Sequence, residues 1–296
     1  MQICFLLKTL QKFLKIKKSA KVKKMKAMRI IISIAFVFIS IATLTVFISE
    51  KINTDKTIPQ IKVEEEVIEV SLKATDEELL KGVTAHDEKD GDLTEKIIVE
   101  SISRFTEKGV SKVTYTVCDS DNNVAKATRK IKFKGYKSPR FKVSGNLCFS
   151  LYERIDIKGL ITASDSIDGN ISNKIIITSE KYSNTNAGAY TLDVTVTNSK
   201  GDTSIIQLPL IVEDRPASVP KIELKEYLIY IKKGETIDFK TYLVDALDSK
   251  KNSLKNKVTI EPDIDFNKEG TYQVHYYATD SLGQRGHSVM TVIVGE

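Results

Sequence analysis

The sequence predicts an all-β chain of three tandem domains behind a single N-terminal membrane-spanning helix, on three observations. A motif opening Thr84-Ala85-His86-Asp87 and closing Asp90-Gly91-Asp92-Leu93-Thr94 returns without a gap from Thr162-Ala163-Ser164-Asp165 to Asp168-Gly169-Asn170-Ile171-Ser172. An eroded third copy stands at Ala246-Leu247-Asp248 and Leu254-Lys255. The motif begins at Thr84, Thr162 and Asp245, spacings of 78 and 83 residues, the size of a small β domain rather than of a solenoid repeat. Downstream of each motif, apolar residues alternate with polar ones at period two, as in Val113, Tyr115 and Val117, the pattern of a sheet with one buried face. Finally, residues 30–49 carry no charge and are dominated by Ile, Phe, Val, Leu and Ala.

Taken in order, residues 1–29 form a basic tail with ten Lys and Arg and no acid. The formal net charge of +6 therefore belongs to this tail, since the remainder holds 35 basic against 39 acidic residues and is mildly acidic. A charge so confined gives no reason to expect nucleic-acid binding. Ile3, Leu6, Leu7, Leu10, Phe13 and Leu14 recur at helical spacing, which fits a basic amphipathic helix lying on the inner membrane face or a disordered basic leader.

Residues 30–49 follow. At a rise of about 1.5 Å per residue, twenty residues cross a hydrocarbon core of roughly 30 Å. Lys and Arg crowd the N-terminal flank and Glu50 opens the other, so the tail is expected in the cytoplasm and everything past residue 50 outside. The rival is a cleaved secretory signal ending at Ser40-Ile41-Ala42, which would leave a secreted chain. The apolar run continues through Leu44, Val46, Phe47 and Ile48, and this favours an uncleaved signal anchor.

Residues 50–57 read as a polar tether. The three domains are expected at 58–134, 135–214 and 215–296, joined by short Pro-bearing links around Pro139 and between Pro216 and Pro220 that favour stiff joints. The last alternating strand ends at Val294, and no further domain is expected after it. In each copy a glycine (Gly109, Gly188, Gly270) leads into an alternating strand. That strand ends at Asp119-Ser120, Asn198-Ser199 or Asp280-Ser281, a turn of Asn, Asp, Gly or Gln follows, and a last strand completes a hairpin. Copies two and three read Gly-x-Tyr-x-apolar, at Gly188-Ala189-Tyr190-Thr191-Leu192 and Gly270-Thr271-Tyr272-Gln273-Val274. This is similar to a tyrosine corner, whose hydroxyl turns back onto the backbone just upstream. Ser111 takes the tyrosine's place in copy one, where no corner is expected.

Together these motifs resemble the immunoglobulin-like domains found in tandem in surface proteins of Gram-positive bacteria and in insecticidal crystal toxins. The resemblance covers about residues 58–294 and implies three Ig-like β-sandwiches. It implies a fold more firmly than an activity, since such domains are mostly spacers, adhesion modules or accessories. Leu192 and Val274 stand where an antibody domain has a core cysteine, so no intersheet disulfide is expected. A Cys118–Cys148 bridge is the alternative to two separate thiols. Thr197 and Thr279 at the equivalents of Cys118 favour free thiols.

Catalytic signals are missing. His86, His275 and His287 stand singly, no metalloprotease, nucleophile-elbow or phosphate-loop pattern occurs, and no enzyme is expected. His275, out of phase with Val274 and Tyr276, reads as a solvated strand residue. The one candidate metal site, for calcium, lies in the acidic loops Asp87, Asp90 and Asp92, and Asp165 and Asp168. Turn chemistry explains the same residues, with Asp capping backbone amides and Gly91 and Gly169 at positive φ, and is the preferred reading; no cofactor is expected. With no Trp, and with tyrosines that follow the core alternation, a glycan platform is not advertised. The function expected is a membrane-anchored stalk for adhesion, spacing or surface interaction. The alternatives are a carbohydrate or cell-wall binding protein and a transmembrane signalling partner, so the partners in prospect are the membrane and a surface protein or glycan.

Overall fold

A computed structural model describes residues 2–53, 56–179 and 182–295; of the tether, residues 54 and 55 lie outside the described part. Side chains up to Val22 also lie outside it, so the amphipathic reading of residues 3–16 has only its backbone helix described. The chain divides into two compact units. One holds residues 1–60 with the loop segments His86–Leu93 and Cys118–Ala125, and the other holds Ile61–Ala85, Thr94–Val117 and Lys126–Glu296.

The N-terminal helix runs Gln2–Asn53, past both expected ends of the apolar segment. The flanks are rich in Lys and Leu, good helix formers, and contain no Gly or Pro, and extending a helix already nucleated costs little. Its stretch Lys23–Ser49 is long and apolar enough to cross a membrane, and Ile, Val and Phe side chains stand exposed along it. The Thr43 hydroxyl donates to the Ile39 and Ser40 carbonyls at 3.1 and 2.9 Å, and that of Thr45 to the Ala42 carbonyl at 2.8 Å. The two threonine hydroxyls within the apolar run are thereby satisfied inside the helix itself.

The rest is β-sheet, and one arrangement occurs three times. In the first repeat a small sheet pairs Gln60–Val63, Val83–Asp87 and Gly91–Asp92, and a larger one runs Val67–Val70, Val124–Phe133, Val110–Cys118, Ile98–Ile102. The second repeat has Arg140–Val143, Ile161–Asp165 and Gly169–Asn170 in the small sheet. Its larger sheet runs Cys148–Ser150, Thr203–Glu213, Gly188–Thr197, Ile176–Ser179. The third pairs Lys221–Leu224 with Leu243–Leu247, beside a sheet of Leu228–Ile231, Arg285–Val294, Gly270–Thr279 and Thr259–Asp263. In every repeat the chain crosses early from the small sheet to the edge of the large one, where it pairs parallel with the last strand. These are Ig-like β-sandwiches, as the sequence predicts.

A one-turn helix follows that crossing in each repeat. Thr75 caps Asp76–Leu80 through the Glu78 N–H, Asp156 caps Ile157–Leu160 through Gly159, and Asp238 caps Phe239–Tyr242 through Lys240. The tyrosine corners are present. Tyr190 Oη donates to the Asn186 carbonyl at 2.9 Å and Tyr272 Oη to that of Lys268 at 3.0 Å. In the first repeat the buried Ser111 hydroxyl instead donates to the Ser103 carbonyl at 3.0 Å.

The second and third repeats share one apolar cluster running from Phe141 to Val294. Along Arg285–Val294 the expected alternation fails, because Gly286 through Val292 are all buried on both faces. Asn146 of the second repeat lies against this strand, its Nδ2 donating to the His287 carbonyl at 2.8 Å and its Oδ1 accepting from Val289 N–H at 3.3 Å. The first joint is also packed. Tyr136 stacks edge-on against Phe105, and its hydroxyl lies 2.6 Å from Asp202 and 2.8 Å from the Asn198 amide nitrogen.

Candidate functional site

The acidic tips assemble from two stretches distant in sequence. The first is the repeated motif. The second is the hairpin between the last two strands, which the sandwich brings back to the same end. In the first repeat Asp87 is buried, and its Oδ1 accepts the N–H groups of Lys89 and Asp90 at 2.9 and 3.0 Å. Asp90 in turn accepts the N–H and hydroxyl of Ser120 at 2.6 and 2.8 Å, tying the motif to the hairpin. Asp119, also buried, accepts the N–H groups of Asp121 and Asn123 at 2.9 and 2.7 Å. Carboxylate oxygens of Asp87, Asp90 and Asp119 lie within 4.8 Å of one another, near enough to hold one cation. Asp92, expected in that set, is exposed on the short strand that pairs with His86, outside the trio.

The second repeat reproduces the frame with other chemistry. Buried Asp165 accepts the N–H groups of Ile167 and Asp168 at 2.8 and 3.0 Å, and Asp168 accepts the N–H and hydroxyl of Ser199 at 2.7 and 2.5 Å. Asn198 stands where the first repeat has Asp119, and its amide donates to Asp165 at 3.1 Å. Lys174 Nζ lies 3.0 Å from Asp168. Burial by itself would raise the Asp168 carboxyl, but the bonds from Ser199 and then Lys174 outweigh it and hold it below the ordinary carboxylate range. A third carboxylate is thus replaced by an amide, and a cation already neutralises one of the two that remain. In the third repeat Asp248 accepts the N–H groups of Lys250 and Asn252 at 2.9 and 2.8 Å, and Asp280 those of Leu282 and Gln284 at 2.9 and 2.8 Å.

One role is common to all three tips: an Asp or Asn side chain takes up the backbone amides of a tight turn. Gly91 and Gly169 sit at φ of 73° and 70°, the left-handed conformation that the turn demands. The sequence reading missed Asp119 as a member of the first tip. The signal was the recurrence of Asp119, Asn198 and Asp280 at the hairpin, which was read as a turn alone.

A second polar cluster was missed altogether. His287 Nδ1 lies 2.7 Å from Glu213 Oε1, and its Nε2 lies 2.9 Å from His275 Nδ1. His275 is therefore half-buried in a chain of bonds and not solvated as expected. Burial, then the neighbouring His287, push His275 below the usual imidazole value. Burial works to raise Glu213, but His287, Arg215 and Arg285 together bring it down. Cys118 and Cys148 are both free thiols, the first exposed and the second buried, and burial pushes Cys148 upward.

The family model for the Ig-like domain of bacterial surface proteins matches residues 69–133 and 225–294. An uncharacterized 81.3 kDa protein of Acholeplasma phage L2 is 30% identical over 140 residues, covering 46% of this chain and 19% of its own. Pesticidal crystal protein Cry22Aa of Bacillus thuringiensis is 27% identical over 219 residues, covering 72% of this chain and 30% of its own. The chain thus spans less than a third of the length of either relative. Among solved structures, the M60 catalytic domain with the CBM51-1 and CBM51-2 domains of Clostridium perfringens ZmpB aligns at 16% identity and a TM-score of 0.23, over 80% of this chain and 30% of that one. The protocadherin GammaB4 extracellular domain aligns at 13% identity and a TM-score of 0.20, over 82% of this chain and 50% of that one. Scores this low carry no conclusion for this chain.

Proposed function

We propose that this is a non-catalytic, membrane-anchored surface protein, on the match of residues 69–133 and 225–294 to the family model for the Ig-like domain of bacterial surface proteins. It presents three such domains, bounded at 58–134, 135–214 and 215–296, for adhesion, spacing or surface interaction. The single observation that carries the reading is the joining of these domains to an apolar helix, Lys23–Ser49, with ten Lys and Arg and no acid among residues 1–29 against a mixed Glu50 and Lys51 at its other end. Charge asymmetry of that kind keeps the basic end in the cytoplasm, and the sandwiches are then outside. The acidic tips serve the fold on this reading, since their carboxylates are engaged with backbone amides.

Protease added to intact cells tests the topology. Cleavage should remove residues beyond about position 50 and leave the basic tail protected, as antibodies to the tail and to the third repeat would report. A soluble chain beginning at Thr43 in the culture medium would overturn the anchor and establish a cleaved signal.

A further inference from the structure

Tyr152 breaks the rule that tyrosines here follow the core. Its side chain is 74% exposed, yet its backbone sits at a φ of 67°, where a bulky residue is a genuine outlier. It occupies the third position of a turn closed by Glu153 N–H to the Ser150 carbonyl at 3.1 Å, with Glu153 Oε2 accepting from Ser150 N–H at 2.9 Å. The third repeat builds the same turn. There Glu235 N–H bonds the Lys232 carbonyl at 3.0 Å, and Glu235 Oε2 accepts from Lys232 N–H at 3.0 Å. Its residue at the strained position is Gly234, at a φ of 83°, the ordinary choice for such a turn. The second repeat therefore keeps a tyrosine where glycine would relieve the backbone, and gains no core contact by doing so. Strain retained in this way gathers at sites of function.

What Tyr152 faces is consistent with that. A cleft of about 460 Å³ is lined by Tyr152, Arg154, Ile155, Tyr182, Ser183 and Asn184, within the size range of small-ligand sites. Tyr152 N–H donates to the Asn184 carbonyl at 2.7 Å, and the Asn184 amide donates to the Glu153 carbonyl at 3.3 Å, so the two walls are bonded to each other. Tyr182 is also exposed. Arg154 is exposed and, among the described residues, pairs with no carboxylate. Two exposed tyrosines suit the C–H face of a pyranose ring, and Asn and Ser offer partners for its hydroxyls. A guanidinium at the rim selects a carboxylate, which it binds through two parallel hydrogen bonds.

We propose that this cleft on the second repeat binds an acidic saccharide, a sugar bearing a carboxylate. The proposal deepens the surface-contact role above by naming what is contacted, and rests on that reading only for its biological setting.

The test is calorimetric binding of the purified full chain in detergent to a uronic-acid oligosaccharide, with a neutral oligosaccharide and inorganic phosphate as comparison probes. Tyr152→Gly installs the residue of the third repeat. It should unfold no more readily than the parent, yet weaken uronate binding at least tenfold. Tyr182→Ala should do likewise, and Arg154→Gln should reduce the preference for the uronate over the neutral sugar to near unity. Absence of uronate binding by the parent chain overturns the proposal, and so does binding that Tyr152→Gly leaves intact. Equal binding of neutral and acidic sugars overturns the acidic class, and phosphate binding as tight as uronate overturns the saccharide. Protease shaving of intact cells reads the surface role separately, so either idea fails without the other.

Discussion

Arg129 is buried in the first repeat, with a relative exposure of 3%. Its Nε donates to Tyr115 Oη at 2.7 Å, its Nη2 bonds the Leu79 carbonyl, and among the described residues no carboxylate neutralises it. A desolvated cation with only neutral partners is a poor bargain for stability. The other repeats place Leu208 and Met290 at this point of the last strand, and in the third Tyr276 Oη donates to the Phe239 carbonyl at 3.0 Å beside Met290. Arg129→Met would copy that arrangement and leave Tyr115 bonded to Leu79. We expect it to raise stability by about 1–2 kcal/mol in denaturant unfolding. Arg129→Ala should instead lose about 2–4 kcal/mol through the cavity it leaves, and a Met variant less stable than the parent would sink the argument. At the same scale, Cys118 and Cys148 should both alkylate under denaturation without reductant. An intact mass short of two alkyl groups would establish a bridge and contradict the free thiols of the fold.

At the scale of the element, the acidic tip separates turn chemistry from ion binding. Asp87→Ala leaves the Lys89 and Asp90 amides without their acceptor and should cost about 1 kcal/mol, as a lost cap does. On the turn reading the loss is the same in millimolar calcium and in chelator. If Asp87, Asp90 and Asp119 hold calcium instead, the parent chain gains about 2.7 kcal/mol at a hundredfold excess over the dissociation constant, and Asp119→Asn abolishes the gain. The second repeat supplies the comparison within the same molecule, because Asn198 already stands in Asp119's place and Lys174 beside Asp168. A calcium-dependent melting temperature that Asp119→Asn removes would refute the turn-only reading.

At the scale of the whole molecule, the face shared by the second and third repeats carries the chain Glu213, His287, His275. With the Glu213 carboxylate accepting from His287 Nδ1–H, the His287 Nε2 is placed to accept from His275 Nδ1–H. Around them stand Arg215 and Arg285 as cations, Glu261 and Asp263 as anions, and Tyr277 stacked on His287. Folding lowers the His275 value, so the unfolded chain binds more protons and stability falls as pH drops below the usual imidazole value of 6.5. Glu213 is lowered as well, and its contribution is present above 4.5 and lost as pH falls through its folded value. The melting temperature should therefore decline from pH 7.5 to 5, and His275→Gln should flatten the part of that decline nearest neutrality. An identical pH profile in parent and variant would show that the pair does not sense protons.

The amino-acid sequence by itself determined the all-β class, the three copies, the apolar helix, the tyrosine corners at Tyr190 and Tyr272, and the turn residues Gly91 and Gly169. Each of these rests on local physics: period-two burial, backbone conformations few residues tolerate, and a hydrocarbon thickness that sets a length. Only the tertiary structure decided what the faces meet. Period two reports that Val289 is buried, but not that Asn146 of another repeat lies across the same strand and buries His287 and Ser288 as well. It placed His275 on the solvent side for that reason. Asp119 joined Asp87 and Asp90 only once the hairpin had folded back to the motif, and Tyr152 showed itself as misplaced only when its φ could be set beside that of Gly234. Contacts between residues far apart in the chain depend on how whole sheets pack, and no local pattern encodes them.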